Sequence, residues 1–534
     1  MRWVTWERVR EARQRLASEQ GAIRKDWGGR LPIALIYPNS YHLGMSNLGI
    51  QAIYRLLNEK PDIVCERVFW DPPQSAGAPV PVSVESQRPL TDFAVAAFSF
   101  TYELDYLNLA PILTASGIPV NATERGDDYP LLMAGGATIT ANPMPVSPFF
   151  DALCIGEAEA ILPAMLPLLT ENLSGERGAL LKELSRLPGV YVPSCPPAGR
   201  IARQWAKDLD NFPVHSAVLT DDTELREMYL IEVERGCPWS CRFCLVSGCF
   251  RPMRARSLDS LVEQAKVGLQ YRRRLGLVGP SVPDHPQFGE LLARLKKMGA
   301  DLAVSSLRIK PFHPGIIGEL VEGGTKTVAL APEAGSERLR QVIKKGITED
   351  DILAAARQVA EQGLRQLRLY FMLGLPTETD EDVQAIADLT LKCNAIMDQW
   401  QTGARISLSV APFVPKAGTP FQWLAMERLA VLSRRVAWLK NSLAPAGIKV
   451  TGESPAWSEV QAILARGDEK LASVLANIDE ATLPGWRWAS RGLGVERYAH
   501  EPMPLDSELP WSLIDSGTSL EHLRAELERA LKHE

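Results

Sequence analysis

From Pro32 onward the chain alternates short apolar runs with amphipathic stretches, and that alternation carries most of the information about its fold. PIALIYP reads as a buried strand, and GMSNLGIQAIYRLL, apolar at helical spacing, as the helix that follows it. Further strand-like runs are IVCERVFW (63–70), FAVAAFSF (93–100), LLMAGG (131–136) and ALCIG (152–156), with helical patterns around 103–115 and 157–170. Strands that alternate with helices in this way predict a flavodoxin-like, doubly wound α/β domain over 31–172, preceded by a charged helix in 1–30. The Pro-rich stretch DPPQSAGAPVPVSVESQRP (71–89) is expected to loop over the top of the sheet.

The rhythm breaks over 173–222, where YVPSCPPAGR and LDNFPVHSA read as a linker. It resumes with MYLIEVERGC and continues through LGLVG (275–279), LAVSSLRI (302–309), KTVALAPE (326–333), LRQLRLYFMLG (364–374) and ISLSVAPF (406–413). These βα units predict a partial (β/α)6 barrel over 223–448, followed by a small helical region over 449–534 with Trp486, Trp488 and Trp511.

Composition narrows the function classes. With 58 Lys+Arg against 64 Asp+Glu the net charge is −6, which argues against nucleic acid as a partner held by bulk charge. No run approaches the length needed to span a bilayer, and MRWVTWERVREARQRLASEQ lacks the apolar stretch of a secretory signal, so the expected location is the cytoplasm, away from membranes. Eight cysteines are too sparse for a disulfide scaffold.

Three of them are crowded into Cys237-Pro-Trp-Ser-Cys241-Arg-Phe-Cys244, directly after the first barrel strand. Thiolates ligate iron–sulfur clusters and zinc. Structural zinc takes four closed ligands, whereas three cysteines leave one iron of a [4Fe–4S] cluster without a protein ligand. Structural zinc or plain reduced thiols remain the alternatives. Cys249 is a bystander, a fourth ligand or an active-site thiol; Arg251, Arg254 and Arg256 read as a solvated approach to the next helix; Cys65, Cys154, Cys195 and Cys393 read as structural.

The spacing CxxxCxxC, on the loop after the first barrel strand, resembles the hallmark of the radical S-adenosylmethionine (SAM) superfamily. The resemblance implies that Cys237, Cys241 and Cys244 hold a [4Fe–4S] cluster whose free iron chelates the amino and carboxylate groups of SAM. An electron from the cluster would then cleave the sulfonium to a 5′-deoxyadenosyl radical. Phe243 stands where the family places an aromatic beside the adenine, with core packing as its other reading. Gly279-Pro280-Ser281 follows strand two, where the family has a glycine-rich segment for the SAM amino group, but the usual acidic third residue is absent. Ser306 and Arg308 on strand three suit the SAM carboxylate, and Glu333 at the end of strand four suits the ribose or amino group. Ser336 and Thr377 read equally as helix caps, Asp284 as the cap of a helix beginning at Pro286, and His285 as either an acid–base group or a turn residue.

In the first domain, Gly135, Gly136 and Thr138 after one strand and Gly156 and Glu157 after the next would border one crevice and let backbone approach a bulky planar ligand. This pattern resembles the cobalamin-binding domain that precedes the barrel in one large subgroup of radical SAM enzymes, which makes cobalamin the candidate second cofactor. Methionine-synthase-like cobalamin domains carry Asp-x-His-x-x-Gly, whose His ligates cobalt; here Asn39-Ser40-Tyr41-His42-Leu43-Gly44 is out of register, so His42 reads as a loop residue, and many members of the subgroup lack that His as well. Other runs, among them VAPFVPKAGTPFQW and ELPWSLIDSG, resemble an uncharacterised branch of the subgroup.

Three functions are compatible with this reading. The first is a cobalamin-dependent methyltransferase acting on an unactivated carbon of a small molecule, supplied with electrons by a flavodoxin- or ferredoxin-type donor. The second is a radical SAM enzyme without cobalamin, performing a rearrangement or a sulfur insertion. The third is a non-enzymatic corrinoid or SAM sensor.

Overall fold

The computed structural model describes residues 4–71, 79–172, 175–304, 307–310, 312, 314–400 and 404–532. The first domain is built on β1 (Leu31–Tyr37), β2 (Ile63–Phe69), β3 (Val95–Ser99), β4 (Leu131–Gly135) and β5 (Ala152–Cys154). They are parallel and lie in the order β2-β1-β3-β4-β5, the flavodoxin-like arrangement the alternation predicts. Every residue of β2 is buried, including Arg67, whose guanidinium lies 2.6 Å from Glu19 and 2.7 Å from Glu85. This ion triad fastens the segment after the N-terminal helix (Trp6–Ser18) to the sheet edge. The described part of the Pro-rich stretch covers the same edge, with the Val84 amide donating to the Arg67 carbonyl.

The stretch 173–222 is more than a linker. A helix, Arg177–Leu184, buries Leu180, Leu181 and Leu184, and β6 (Val190–Tyr191) adds antiparallel to β5, closing the other edge of the sheet. Ile201–Ala202 then pairs with Ile514–Asp515 from the C-terminal region.

The second domain carries β7 (Met228–Glu232), β8 (Arg274–Val278), β9 (Asp301–Val304), β10 (Thr327–Glu333), β11 (Gln366–Leu373) and β12 (Arg405–Pro412). Neighbours pair in parallel, and a bridge between Leu307 and Leu330 joins the arc β7–β9 to the arc from β10. The arc does not stop at the sixth strand: β13 (Lys449–Gly452) pairs in parallel with β12, so the region expected to be purely helical begins with a seventh barrel strand. Its sequence, KVTG, is short and mostly exposed and has no apolar pattern to announce it. Helices Pro455–Arg466, Leu483–Ala489 and Leu520–Leu531 follow; Trp486 and Trp511 are buried, whereas Trp488 is exposed.

The C-terminal edge of the first sheet faces the barrel. Leu48 and Ala52, on the helix Leu48–Asn58, pack against Val214 and against Met228, Leu230 and Val278 of β7 and β8. Beside them His215 accepts a hydrogen bond from Arg55 at Nε2 (2.6 Å), and its Nδ1 lies 2.6 Å from the Tyr229 hydroxyl. Burial, and then the Arg55 charge, push the His215 pKa down to about 4, from an ordinary value near 6.5. Between these two values the unfolded chain binds the proton more readily than the folded one, so stability is lost as pH falls through that window. Thermal unfolding followed from pH 7 to 4 is expected to show this decline, and His215→Gln is expected to flatten it.

Candidate functional site

The loop between β7 and β8 holds Cys237, Cys241 and Cys244, all unpaired and half-buried. Its side chains fix it from several directions. Trp239 donates through its indole N–H to Asp284 (2.8 Å), and the Arg308 guanidinium stacks 3.9 Å above the Trp239 ring. Arg242, fully buried, donates to Glu526 (3.0 Å) on the C-terminal helix and to the Val342 carbonyl (3.0 Å). The loop is therefore held by the second, fourth and last parts of the domain at once.

The three thiols feel one another: Cys244 raises the pKa of Cys237 and Cys241, and Cys237 raises that of Cys241. Burial is the largest effect, lifting Cys237 above its usual value and Cys241 to about 11. Arg308 opposes it at both thiols and Lys345 at Cys241, so two cations favour the thiolate form on this side. Among the described residues no three His, Cys, Asp or Glu side chains converge to hold a single metal ion. Free, adjacent thiols beside two cations fit the anionic, multi-iron group that three cysteines imply.

The strand ends sort themselves around this loop. Glu333 ends β10 in the left-handed region (φ 69°), where a non-glycine residue is strained, and pairs with Lys345 at 3.1 Å. Arg308 is committed to Trp239 and lies 3.5 Å from Asp284. Phe243 is half-buried against an apolar cluster with Leu339, Phe421 and Trp423. Ser306 lies outside the described residues. Gly279 and Pro280 line a cavity of about 500 Å³ between the two domains, bounded also by Ile53, Ala158, Val246 and Phe250.

Several expectations are corrected here. Asp284 caps no helix; it accepts from Trp239 and from Ser281, and the next helix, Phe288–Lys297, has Gln287 at its N-cap. His285 is buried between the Arg256 carbonyl (2.8 Å) and the Gln287 amide (3.1 Å), which leaves it no free nitrogen for acid–base work. Thr377 is held in the left-handed region (φ 63°) by Arg338, and Thr379 makes the capping box of helix Asp380–Gln399; Ser336 does cap its helix. Cys249 is buried against Ala417 and Gly418, with burial pushing its thiol up to about 12; it is a packing residue. Arg254 and Arg256 are buried, not solvated, because carboxylates await them.

The first-domain residues also hold the fold together. A side chain at Gly136 (φ 119°) would strike the Phe100 carbonyl, and one at Gly156 (φ 129°) the Gln204 backbone, so the close approaches are made by the chain itself. Gly135 lies against Cys154, and Thr138 donates to the Phe100 carbonyl (3.2 Å). Glu157 is bidentate to Arg254 (2.6 and 2.9 Å) and 3.1 Å from Arg235, which also reaches Glu159 (2.6 Å) and Glu232 (2.8 Å). With Glu103–Lys416 (2.5 Å), this network latches the first sheet to the barrel mouth. His42 lies beside Asp222 (2.9 Å), 45% exposed. Even so, the glycines rim an apolar slot of about 150 Å³ between the sheet and the helices Leu48–Asn58 and Ala158–Asn172. Ile53 and Ala158 line both the slot and the larger cavity, so the two lie side by side.

Glu234, just past the end of β7, is a residue the strand pattern does not single out, and it is only 1% exposed. Its Oε1 accepts from the Ser281 amide (2.7 Å), its Oε2 has no partner among the described residues, and burial chiefly raises its pKa to about 7. The signal was present in EVERGC, a run of charges where a buried strand should be apolar.

An open parallel barrel with three cysteines on its first loop, capped by a flavodoxin-like domain, defines a class of iron–sulfur enzyme. Residues 49–193 match the family described as radical SAM proteins, N-terminal, and residues 231–390 the radical SAM superfamily. Uncharacterized protein MJ0966 of Methanocaldococcus jannaschii is 30% identical over 83% of this chain and 90% of its own. Uncharacterized methyltransferase PH0819 of Pyrococcus horikoshii is 27% identical over 48% of this chain and 56% of its own. The solved structure of the cobalamin-dependent S-adenosylmethionine radical enzyme OxsB, with aqua-cobalamin and S-adenosylmethionine bound, shares the fold: TM-score 0.51, 12% identity, 94% of this chain and 79% of that one. The chain belongs to the radical SAM superfamily and is an enzyme whose cofactors are a [4Fe–4S] cluster and S-adenosylmethionine. No described helix is long and apolar enough to cross a membrane.

Proposed function

We propose that this enzyme cleaves SAM reductively and is a cobalamin-dependent methyltransferase acting on an unactivated carbon of a small molecule. The observation that carries the reading is the apolar slot lying against the interdomain cavity beside the cysteine loop. When bound, the cluster supplies the electron that breaks the SAM sulfonium, and cobalamin carries the methyl group. Cys237, Cys241 and Cys244 would ligate the cluster, with Arg308 and Lys345 offsetting its negative charge. Leu35, Ala97, Met133, Leu162 and Met165 line a water-poor slot suited to a flat heterocycle such as the benzimidazole tail of cobalamin. His42 is committed to Asp222, so no lower histidine ligand is proposed. The Glu157–Arg254 and Glu103–Lys416 pairs keep the slot facing the barrel mouth. A flavodoxin- or ferredoxin-type protein is the proposed electron donor.

The test is an anaerobic titration of the reconstituted protein with hydroxocobalamin, followed by absorbance. One corrinoid per chain is expected. Ala158→Trp, which plugs the junction of slot and cavity, is expected to weaken binding by about tenfold or more. Absence of corrinoid binding in a folded, iron-replete protein would eliminate the cobalamin reading.

A further inference from the structure

We propose that the concave face of β10–β13 holds the anionic end of an elongated substrate through Arg368, Arg405 and Lys449. This deepens the functional reading above and rests on it for one point, that the substrate reacts at the barrel mouth.

The face follows from the strand pattern. Leu367, Leu369 and Phe371 of β11 are buried in the core together with residues of the helices Glu349–Glu361, Asp380–Gln399 and Leu429–Leu443. Ile406, Leu408 and Val410 of β12 join the same core. Alternate positions therefore turn away from those helices, toward the inside of the arc. They are not apolar: Arg368, Arg405 and Lys449 are exposed, and Tyr370 is 38% exposed, so a molecule inside the arc can reach them. β13 pairs with no further strand among the described residues, which leaves the arc open beside this face.

Ser407 lies at the centre of the charges. The register sets Arg368 of β11 and Lys449 of β13 on either side of it, and Arg405 stands two positions earlier on its own strand. At ordinary strand spacing and rise, the three backbone positions lie within roughly 7 Å of Ser407. None of the three cations is in an ion pair among the described residues. The only carboxylate that the described strands bring near this face is Glu333 at the strand ends, and Lys345 already pairs with it. The Ser407 hydroxyl accepts from the Gln366 amide (2.9 Å), and Gln366 in turn accepts from Thr327 (3.2 Å), so the O–H of Ser407 remains as a donor. Three like charges around one hydroxyl donor repel one another until an anion joins them. An oxyanion with several oxygens matches guanidinium, ammonium and hydroxyl together.

Depth sets the length of the ligand. From Arg368 to Leu373, where β11 ends, the strand rises about 16 Å. A molecule with its oxyanion at Ser407 and its reacting carbon at the mouth is therefore extended, and it passes Tyr370 on the way. Phosphate and carboxylate share the required chemistry.

The experiment uses the full chain, with and without reconstituted cluster, in about 0.15 M salt so that diffuse attraction is screened. Inorganic pyrophosphate and glutarate are titrated by calorimetry into wild type, Arg368→Gln, Arg405→Gln and Arg365→Gln. Arg365 is exposed but one position out of step with the face, so it reports bulk charge alone. At least one probe is expected to bind wild type, R368Q and R405Q each to weaken it by about tenfold or more, and R365Q to leave it unchanged. Preference for pyrophosphate marks a phosphorylated substrate, and preference for glutarate a carboxylate. Absence of binding by both probes, or equal weakening by R365Q, overturns the proposal. So does displacement of SAM by the bound probe, which would assign these cations to SAM. Should R368Q fail to fold, Lys449→Gln takes its place in the same comparison. Iron-free wild type would count against the functional reading, whereas the titration without the cluster still decides on this face.

Discussion

Chain carrying Cys241→Ala is expected to purify folded but to retain essentially no intact [4Fe–4S] cluster after reconstitution, and to release no 5′-deoxyadenosine from SAM. The same result is expected for Cys237→Ala and Cys244→Ala. The fold survives because the loop does not depend on its thiols for shape. Trp239 is tied to Asp284 and Arg308, and Arg242 to Glu526 and the Val342 carbonyl. Loss of one thiolate removes one corner of a three-point attachment and leaves two irons without protein ligands instead of one. Iron and sulfide analysis, with the thermal unfolding curve as a control, checks the result.

The second large effect is expected at the latch between the domains. Glu157→Gln removes the carboxylate that Arg254 grips with two hydrogen bonds and that Arg235 also contacts. Arg235 still has Glu159 and Glu232, but Arg254 is buried and keeps its charge with no carboxylate partner among the described residues. Breaking a buried pair from one side costs about 3–5 kcal/mol. Urea unfolding is expected to show a loss of that size, together with increased protease access between the domains. Glu290→Gln, which disrupts a pair with Arg294 on the exposed face of the helix Phe288–Lys297, is expected to leave the unfolding midpoint where it was. Equal effects from the two substitutions would mean that the latch contributes nothing special.

The parallel strands were legible because strands buried on both faces are written as continuous apolar runs; β2, buried from end to end, is the clearest case. β6 and β13 were not, since Val190–Tyr191 has two residues and Lys449–Gly452 is largely exposed. The cysteine loop was legible from spacing alone. The glycines at 136 and 156 were rightly read as points of close backbone approach, but the approaching groups are Phe100 and Gln204, distant in sequence and invisible to a local pattern. The pairing of Glu157 was hidden for the same reason: its partner Arg254 lies 97 residues away. A charge near the end of a strand reads as ligand-binding until its counter-charge is seen.

The chemistry requires that one corner of the metal cluster be left for SAM. Electron paramagnetic resonance of the reduced, reconstituted protein, recorded with and without SAM, addresses this directly. A [4Fe–4S] signal that shifts when SAM is added and vanishes in each cysteine variant is expected. A protein that holds zinc instead, or a signal indifferent to SAM or retained after loss of any of the three thiols, would contradict it.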